Sequence, residues 1–189
     1  MPKILPIITL PKKSLRLKSS EISEIDPATK TLISQMQEST LEWEAGRPHE
    51  VGVALAAVQI GKNMRAIIIR EDFENRENKN FIAYINPKIT KYSGDKVLDY
   101  EGCLSVKDIY GLVPRYPTIE FTALTIDGDL VSETATGFMA RVIQHEVDHT
   151  NGIVFIDHIK DEDAFFRLAE DGNLIKVDHE EIIKSPILW

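Results

Sequence analysis

The run QHEVDH, Gln144 to His149, sets two histidines four residues apart, with a glutamate directly after the first. On a helix, positions i and i+4 share a face, so His145 and His149 can both turn a ring nitrogen toward one metal ion. Glu146 projects about 100° round the axis from His145. It is off the ligand line, yet near enough to act as a base on a water beside the metal. That is the logic of H-E-x-x-H: two ligands and a base. Val142, Ile143 and Val147 argue that this helix is buried, and buried His, Glu, Asp and His need a reason for their polar cost. The alternative is a solvated helix face with two unconnected histidines.

A catalytic tetrahedral site takes three protein ligands and keeps a fourth position open. The candidates for the third ligand are Cys103, His49, His158, His179 and nearby acids. Cys103 lies in EGCLS, where KVLDYEGCLS reads as a strand entering a turn. A thiolate is a strong soft ligand, so spacing gives Cys103 a modest preference. Being the single cysteine, it forms no intramolecular disulfide and implies no oxidising compartment. A third stretch, GVALAAVQIG from Gly52 to Gly61, has small residues at Gly52, Ala54, Ala56 and Ala57 that permit close backbone approach. Gln59 within it carries a neutral amide able to hydrogen-bond a developing oxyanion. Taken by itself this stretch is a weak signal, since small-residue strands usually serve tight packing.

The elements that must hold these groups follow from local pattern. Asp26-Pro27 is an N-cap followed by a first-turn proline. Leu32, Ile33, Met36 and Trp43 recur near helical spacing, and Gly46 is a natural stop, so a helix is expected from about 27 to 45. MRAIIIR (64–70) reads as a strand, and FIAYINP (81–87) as a second one stopped by Asn86-Pro87. The segment 118–137 reads as a hairpin, with Asp127-Gly128 as its turn. GFMARVIQHEVDH (137–149) is a helix ended by Asn151-Gly152, DEDAFFRLAEDG (161–172) a short acidic helix, and 173–189 a tail. The fold class expected is α+β, with antiparallel sheets packed around one central helix. No linker divides the chain, so residues 1–189 are expected to form one catalytic domain with a variable C-terminal helix or tail at 166–189.

With 189 residues, 43% of them hydrophobic, the chain can bury a core of its own. A net charge of −8 disfavours gripping nucleic-acid phosphates as the main task. No run reaches the roughly 20 apolar residues of a membrane span. The basic start, residues 1–19, is broken by Pro2, Pro6 and Pro11 and lacks the continuous apolar segment of a secretory signal; it reads as an extended arm.

In this order, GVALAAVQ, EGCLS and QHEVDH resemble the three signature motifs of peptide deformylases, over about residues 5 to 165. These enzymes remove the formyl group from the N-terminal methionine of newly made proteins. The resemblance implies Cys103, His145 and His149 as metal ligands and Glu146 as general base and acid. It implies Gln59 and the backbone N–H of Leu104 as the groups that polarise the formyl oxygen. Ferrous iron is the family's usual metal, with Zn(II), Ni(II) and Co(II) as alternatives. Gly52, Val53, Ala54 and Gly102 are expected beside the bound peptide, with Val53, Phe138 and Val142 forming the apolar pocket for methionine. Arg115 of GLVPR is expected to pair with Asp148 and brace the ligand helix, and His158 to be structural. The partners implied are formylmethionyl nascent peptides and, transiently, the ribosome; for the latter the 173–189 tail with Lys176 and Lys184 is one candidate contact. The compartment implied is the bacterial cytoplasm, with an organellar cytosol-like compartment as the lesser alternative.

Two departures from the family pattern carry expectations. Ala54 stands where the first motif usually has its second glycine, so its methyl should crowd the bound peptide or require a negative φ. VKDIY after EGCLS replaces a proline-containing run, so peptide contacts there should differ. The rival readings are another H-E-x-x-H metallohydrolase such as a zinc protease, with a downstream Glu, Asp or His as third ligand, and a degenerate relative that binds nascent chains without turnover.

Overall fold

The structure, a computed structural model, describes residues 3–160, 164–178, 180, 181, 184 and 185. The first helix, α1, runs Pro27–Ala45, where its cap and first-turn proline predict it. The Asp26 carboxylate accepts from the Thr29 N–H at 2.8 Å. Strands β1 (Ala54–Ala56), β2 (Ala66–Arg70), β3 (Phe81–Ser93), β6 (Thr118–Leu124) and β7 (Leu130–Thr136) make a five-stranded sheet in the order β1-β2-β3-β6-β7. Strands β4 (Val97–Cys103), β5 (Val106–Arg115), β8 (Phe165–Leu168) and β9 (Leu174–Lys176) make a second sheet in that order. Neighbouring strands in both sheets pair antiparallel.

The larger sheet is covered on both faces. Leu32, Ile33 and Met36 of α1 pack on Leu55, Ile68 and Ile85. On the opposite face Ile67, Ile69, Ile119 and Phe121 meet Ala140, Val142, Ile143 and Val147 of the second helix, α2, Gly137–Thr150. That double burial is why β2 is a continuous apolar run rather than an alternating one. The smaller sheet turns Val106, Ile109, Val113 and Phe165 inward, onto Leu10, Leu15 and Phe155.

Two sequence expectations are corrected. The strand from Phe81 does not stop at Asn86-Pro87 but continues to Ser93, past a register shift between Ile85 and Lys88. Asn86 takes a left-handed φ of 52°, and its side-chain amide exchanges two hydrogen bonds, each 2.8 Å, with the backbone of Ile22. A bulge is where a sheet can house a proline, which has no N–H to give. The second correction concerns 161–172. Residues 161–163 lie outside the described residues, and from Phe165 the chain is strand, not helix. Phe165 and Phe166 pair with Gly111 and Tyr110 along the open edge of β5, and Gly172 turns the chain at φ 85°. A cross-sheet pairing with Phe165 buried outweighs the weak helical preference of an acidic segment. The expected helix or tail at 166–189 therefore begins as a hairpin.

Gly152 ties α2 to the N-terminal arm. It has φ 76°, and a Cβ there would lie 2.4 Å from the Arg16 carbonyl oxygen. Gly152→Ala is expected to cost at least ~2 kcal/mol from the left-handed backbone and the backbone clash. That corresponds to a thermal midpoint lower by about 4–8 °C. A midpoint equal to wild type would show that the arm simply moves aside.

Candidate active site

The histidines and the cysteine reach one point from different layers. His145 and His149 lie one turn apart on α2, which packs on the five-stranded sheet. Cys103 ends β4, in the other sheet. Their donor atoms all lie within 4.8 Å of one another, and Cys103 Sγ is 3.2 Å from His149 Nε2. Of the other third-ligand candidates, His158 is committed to Asp148 at 2.7 Å and His49 stands on a cavity wall. His179 lies outside the described residues.

The donor set suits a borderline-soft divalent cation: one thiolate sulfur and two imidazoles, with room for a further ligand. The second ring nitrogen of His145 fits the same reading. Its Nδ1 donates to Glu101 Oε2 at 2.9 Å, which leaves Nε2 turned to the cluster. Burial, with the charge of His145 adding to it, holds His149 well below the usual histidine range, which favours its neutral imidazole. Burial pushes His145 the same way, but hydrogen bonds to Cys103 and Glu101 outweigh it and raise its pKa.

Beneath the cluster is a buried charge network. Glu101 takes hydrogen bonds from Arg115 at 2.9 and 3.1 Å, from Arg141 at 2.8 Å and from His145. Burial alone would raise its pKa; the bonds from His145 and Arg115 reverse that and hold it far below the usual carboxylate range. Arg115 also reaches Asp148 at 2.5 Å, as the second motif's flank predicts, and His158 completes that pair. Glu101 and Arg141 lie directly under the cluster, and motif reasoning gave neither a place in the site. A clue to the second was available: Arg141 is a full charge at i−4 from His145, on the buried side of an apolar helix.

A cavity of about 300 Å³ opens beside the cluster. Among the predicted residues, Cys103, His145, Glu146, Gln59, Leu104 and Gly102 line it, as do Val53, Ala54, Phe138 and Val142. Glu146 is 4% exposed and its Oε2 has no hydrogen-bond partner among the described residues. Burial, aided by the nearby charge of Glu101 and opposed by His145 and Arg115, pushes its pKa to about 7. A carboxyl poised there can take up and return a proton at neutral pH. The Gln59 side chain is clamped: its Oε1 accepts from Ala56 N at 2.8 Å, and its Nε2 donates to Ser105 Oγ at 3.1 Å and reaches Cys103 Sγ at 3.5 Å.

Gly52, expected beside the peptide, does not line the cavity. Its N–H donates to Glu44, its carbonyl accepts from Arg70, and an added Cβ would sit 2.5 Å from Thr40 Cγ2. The glycine is required for passage over α1. Ala54 needs no glycine: it lies in extended β1, outside the left-handed region, and belongs to the core around Ile67 and Val142. Phe138 is a rim residue, 46% exposed and packed on Phe73 with ring centroids 4.7 Å apart, whereas Val142 is buried.

A buried carboxyl, a three-donor cluster and an apolar recess in an α+β shell are what a metallohydrolase centre of the H-E-x-x-H kind requires. The family model described as polypeptide deformylase matches residues 4–165. A peptide deformylase of Dictyoglomus turgidum is 40% identical over 157 residues, covering 83% of this chain and 92% of its own. Peptide deformylase 2 of Gloeobacter violaceus is 36% identical over 173 residues, 91% and 88% of the two chains. Among solved structures, a Synechococcus elongatus peptide deformylase in complex with actinonin superposes with a TM-score of 0.76 at 32% identity, over 85% of this chain and 83% of that one. A Met-Ala-Ser-bound class I type b enzyme from Acinetobacter baumannii does so with a TM-score of 0.73 at 32% identity, over 84% and 100%. The chain belongs to the polypeptide deformylase family. It is a metal-dependent hydrolase that removes the N-formyl group from the formylmethionine of nascent polypeptides, releasing formate.

Proposed function

We propose that Cys103, His145 and His149 hold the divalent metal, and that Glu146 and Gln59 carry out the proton and oxyanion work beside it. The observation that supports this most is the placement of Glu146, whose Oε2 has no hydrogen-bond partner among the described residues, on the wall of the cavity that Cys103 and His145 of the donor cluster also line. A divalent ion bound there supplies Lewis acidity toward water and the formyl carbonyl. Glu146 accepts a proton from the attacking water as oxygen adds to the formyl carbon. The neighbouring positive charge of a bound ion favours its ionised, proton-accepting form. The Gln59 amide and the Leu104 N–H face the developing oxyanion. Glu146 then returns the proton to the leaving amine, the C–N bond breaks, and formate departs. Val53, Val142 and the rim residue Phe138 receive the methionine side chain, with Ala54 and Gly102 along the peptide.

The Met-Ala-Ser bound to the Acinetobacter enzyme makes formyl-Met-Ala-Ser the apt substrate. Ferrous iron is the metal proposed for the cell, with zinc, nickel or cobalt able to fill the same donors. A nascent-chain substrate places the work in the bacterial cytoplasm, within one catalytic domain that meets the ribosome transiently. Protein prepared without oxygen and loaded with Fe(II), Ni(II) or Zn(II) is expected to release formate from formyl-Met-Ala-Ser, and chelation to abolish it. A filled site with no formate from any metal would overturn the reading.

A further inference from the structure

The metal cluster is assembled from two layers that share no strand pairing. Helix α2, with both histidines, is packed on the five-stranded sheet; β4, with Cys103, belongs to the four-stranded one. Something must set the distance between them. Arg141, one helical turn before His145, spans that gap. Its Nη1 donates to Glu101 Oε1 at 2.8 Å and to the Val113 carbonyl at 2.8 Å, and its Nη2 donates to the Val97 carbonyl at 2.8 Å. One guanidinium on the histidine helix therefore grips the side chain of β4 two residues before Cys103, the backbone at the start of β4, and the backbone of β5. It is 6% exposed, so its donors are largely withdrawn from solvent. It also decides where Glu101 points. Arg141 holds Oε1, Arg115 bridges both oxygens, and in that orientation Oε2 also meets His145 Nδ1.

We propose that Arg141 is a positioning residue for the metal centre, fixing the thiolate strand against the histidine helix and, through Glu101, the tilt of the His145 ring. This rests on the ligand assignment proposed above. The fork geometry is what lysine lacks: a single ammonium cannot meet a carboxylate and carbonyls on both strands at once. Loss of such outer support typically costs about 10- to 100-fold in metal affinity or activity.

The test uses the full chain loaded with Co(II), whose absorption reports thiolate ligation and coordination symmetry without reference to turnover. Wild type, Arg141→Met and Arg141→Lys would be compared, with Arg70→Met as a control. Arg70 is equally buried and equally paired, to Glu44 at 2.6 Å, but stands away from the cluster. Arg141→Met is expected to shift or weaken the sulfur-to-cobalt band. It should release cobalt to a chelator about 10- to 100-fold faster and lower kcat by a similar factor, with KM for formyl-Met-Ala-Ser nearly unchanged. Arg141→Lys should fall between. Arg70→Met should lower the thermal midpoint and leave the cobalt spectrum alone. A folded Arg141→Met with wild-type spectrum and release rate would overturn the proposal. If Arg141→Met does not fold, the lysine variant decides, and a wild-type spectrum there overturns it equally. Failure of wild type itself to bind Co(II) through sulfur would instead sink the ligand assignment.

Discussion

Glu146→Gln is expected to fold, hold its metal and release formate about 10³-fold more slowly than wild type, within the roughly 10²- to 10⁴-fold that a positioned proton carrier contributes. Glutamine keeps the shape of the side chain but cannot cycle a proton between water and the leaving amine. The fold should not suffer, because Glu146 Oε2 makes no hydrogen bond among the described residues and so removes none when replaced. Taking an ionisable group out of a buried position is if anything stabilising. The measurement is formate release by enzyme of verified metal content, with thermal unfolding alongside. A variant retaining more than about a tenth of wild-type kcat would remove Glu146 from the proton path, since the expected loss is a hundredfold at the least.

Glu101→Gln is the second large effect, and it acts on stability and metal together. The wild-type carboxylate is the shared counter-ion of Arg115 and Arg141, all three being buried. A neutral amide leaves two buried guanidinium groups undercompensated, and breaking a buried pair from one side costs about 3–5 kcal/mol. Arg115 retains Asp148, which limits the damage on its side. For a chain of this size the cost corresponds to a midpoint lower by roughly 6–20 °C. The amide can still accept from His145 Nδ1, but without charge, so metal should be lost to a chelator about 10- to 100-fold faster. Calorimetry and a chelator time course check the two halves. A midpoint within about 2 °C of wild type would mean that Asp148 and the strand carbonyls suffice for both arginines.

What could be read locally was read correctly where the determinants are local. The helix at 137–149 follows from apolar spacing, the 118–137 hairpin from Asp127-Gly128 between alternating strands, and α1 from its Asp26 cap. The misreadings share one cause. Whether 165–168 is helix or strand depended on the free edge of β5, and whether β3 ends at Pro87 depended on Asn86 finding the Ile22 backbone. Gly52 looked like a peptide-facing glycine because its sequence neighbours do face the cavity, while its lack of a side chain answers to Thr40 on α1.

By itself the sequence determined that His145 and His149 share a helix face with Glu146 beside them, because i, i+4 geometry needs nothing beyond the helix. In company with the other two motifs it also determined the family. It could not derive from spacing that Cys103, rather than His49 or His158, completes the cluster. It was equally silent on the Glu101–Arg115–Arg141 network under the metal site. Those are meetings between two sheets and a helix far apart along the chain, settled by which faces bury against which. Burial also changes what ordinary side chains can do. Glu146, an unremarkable carboxylate in water, gains its raised pKa only once the cavity closes water away from it.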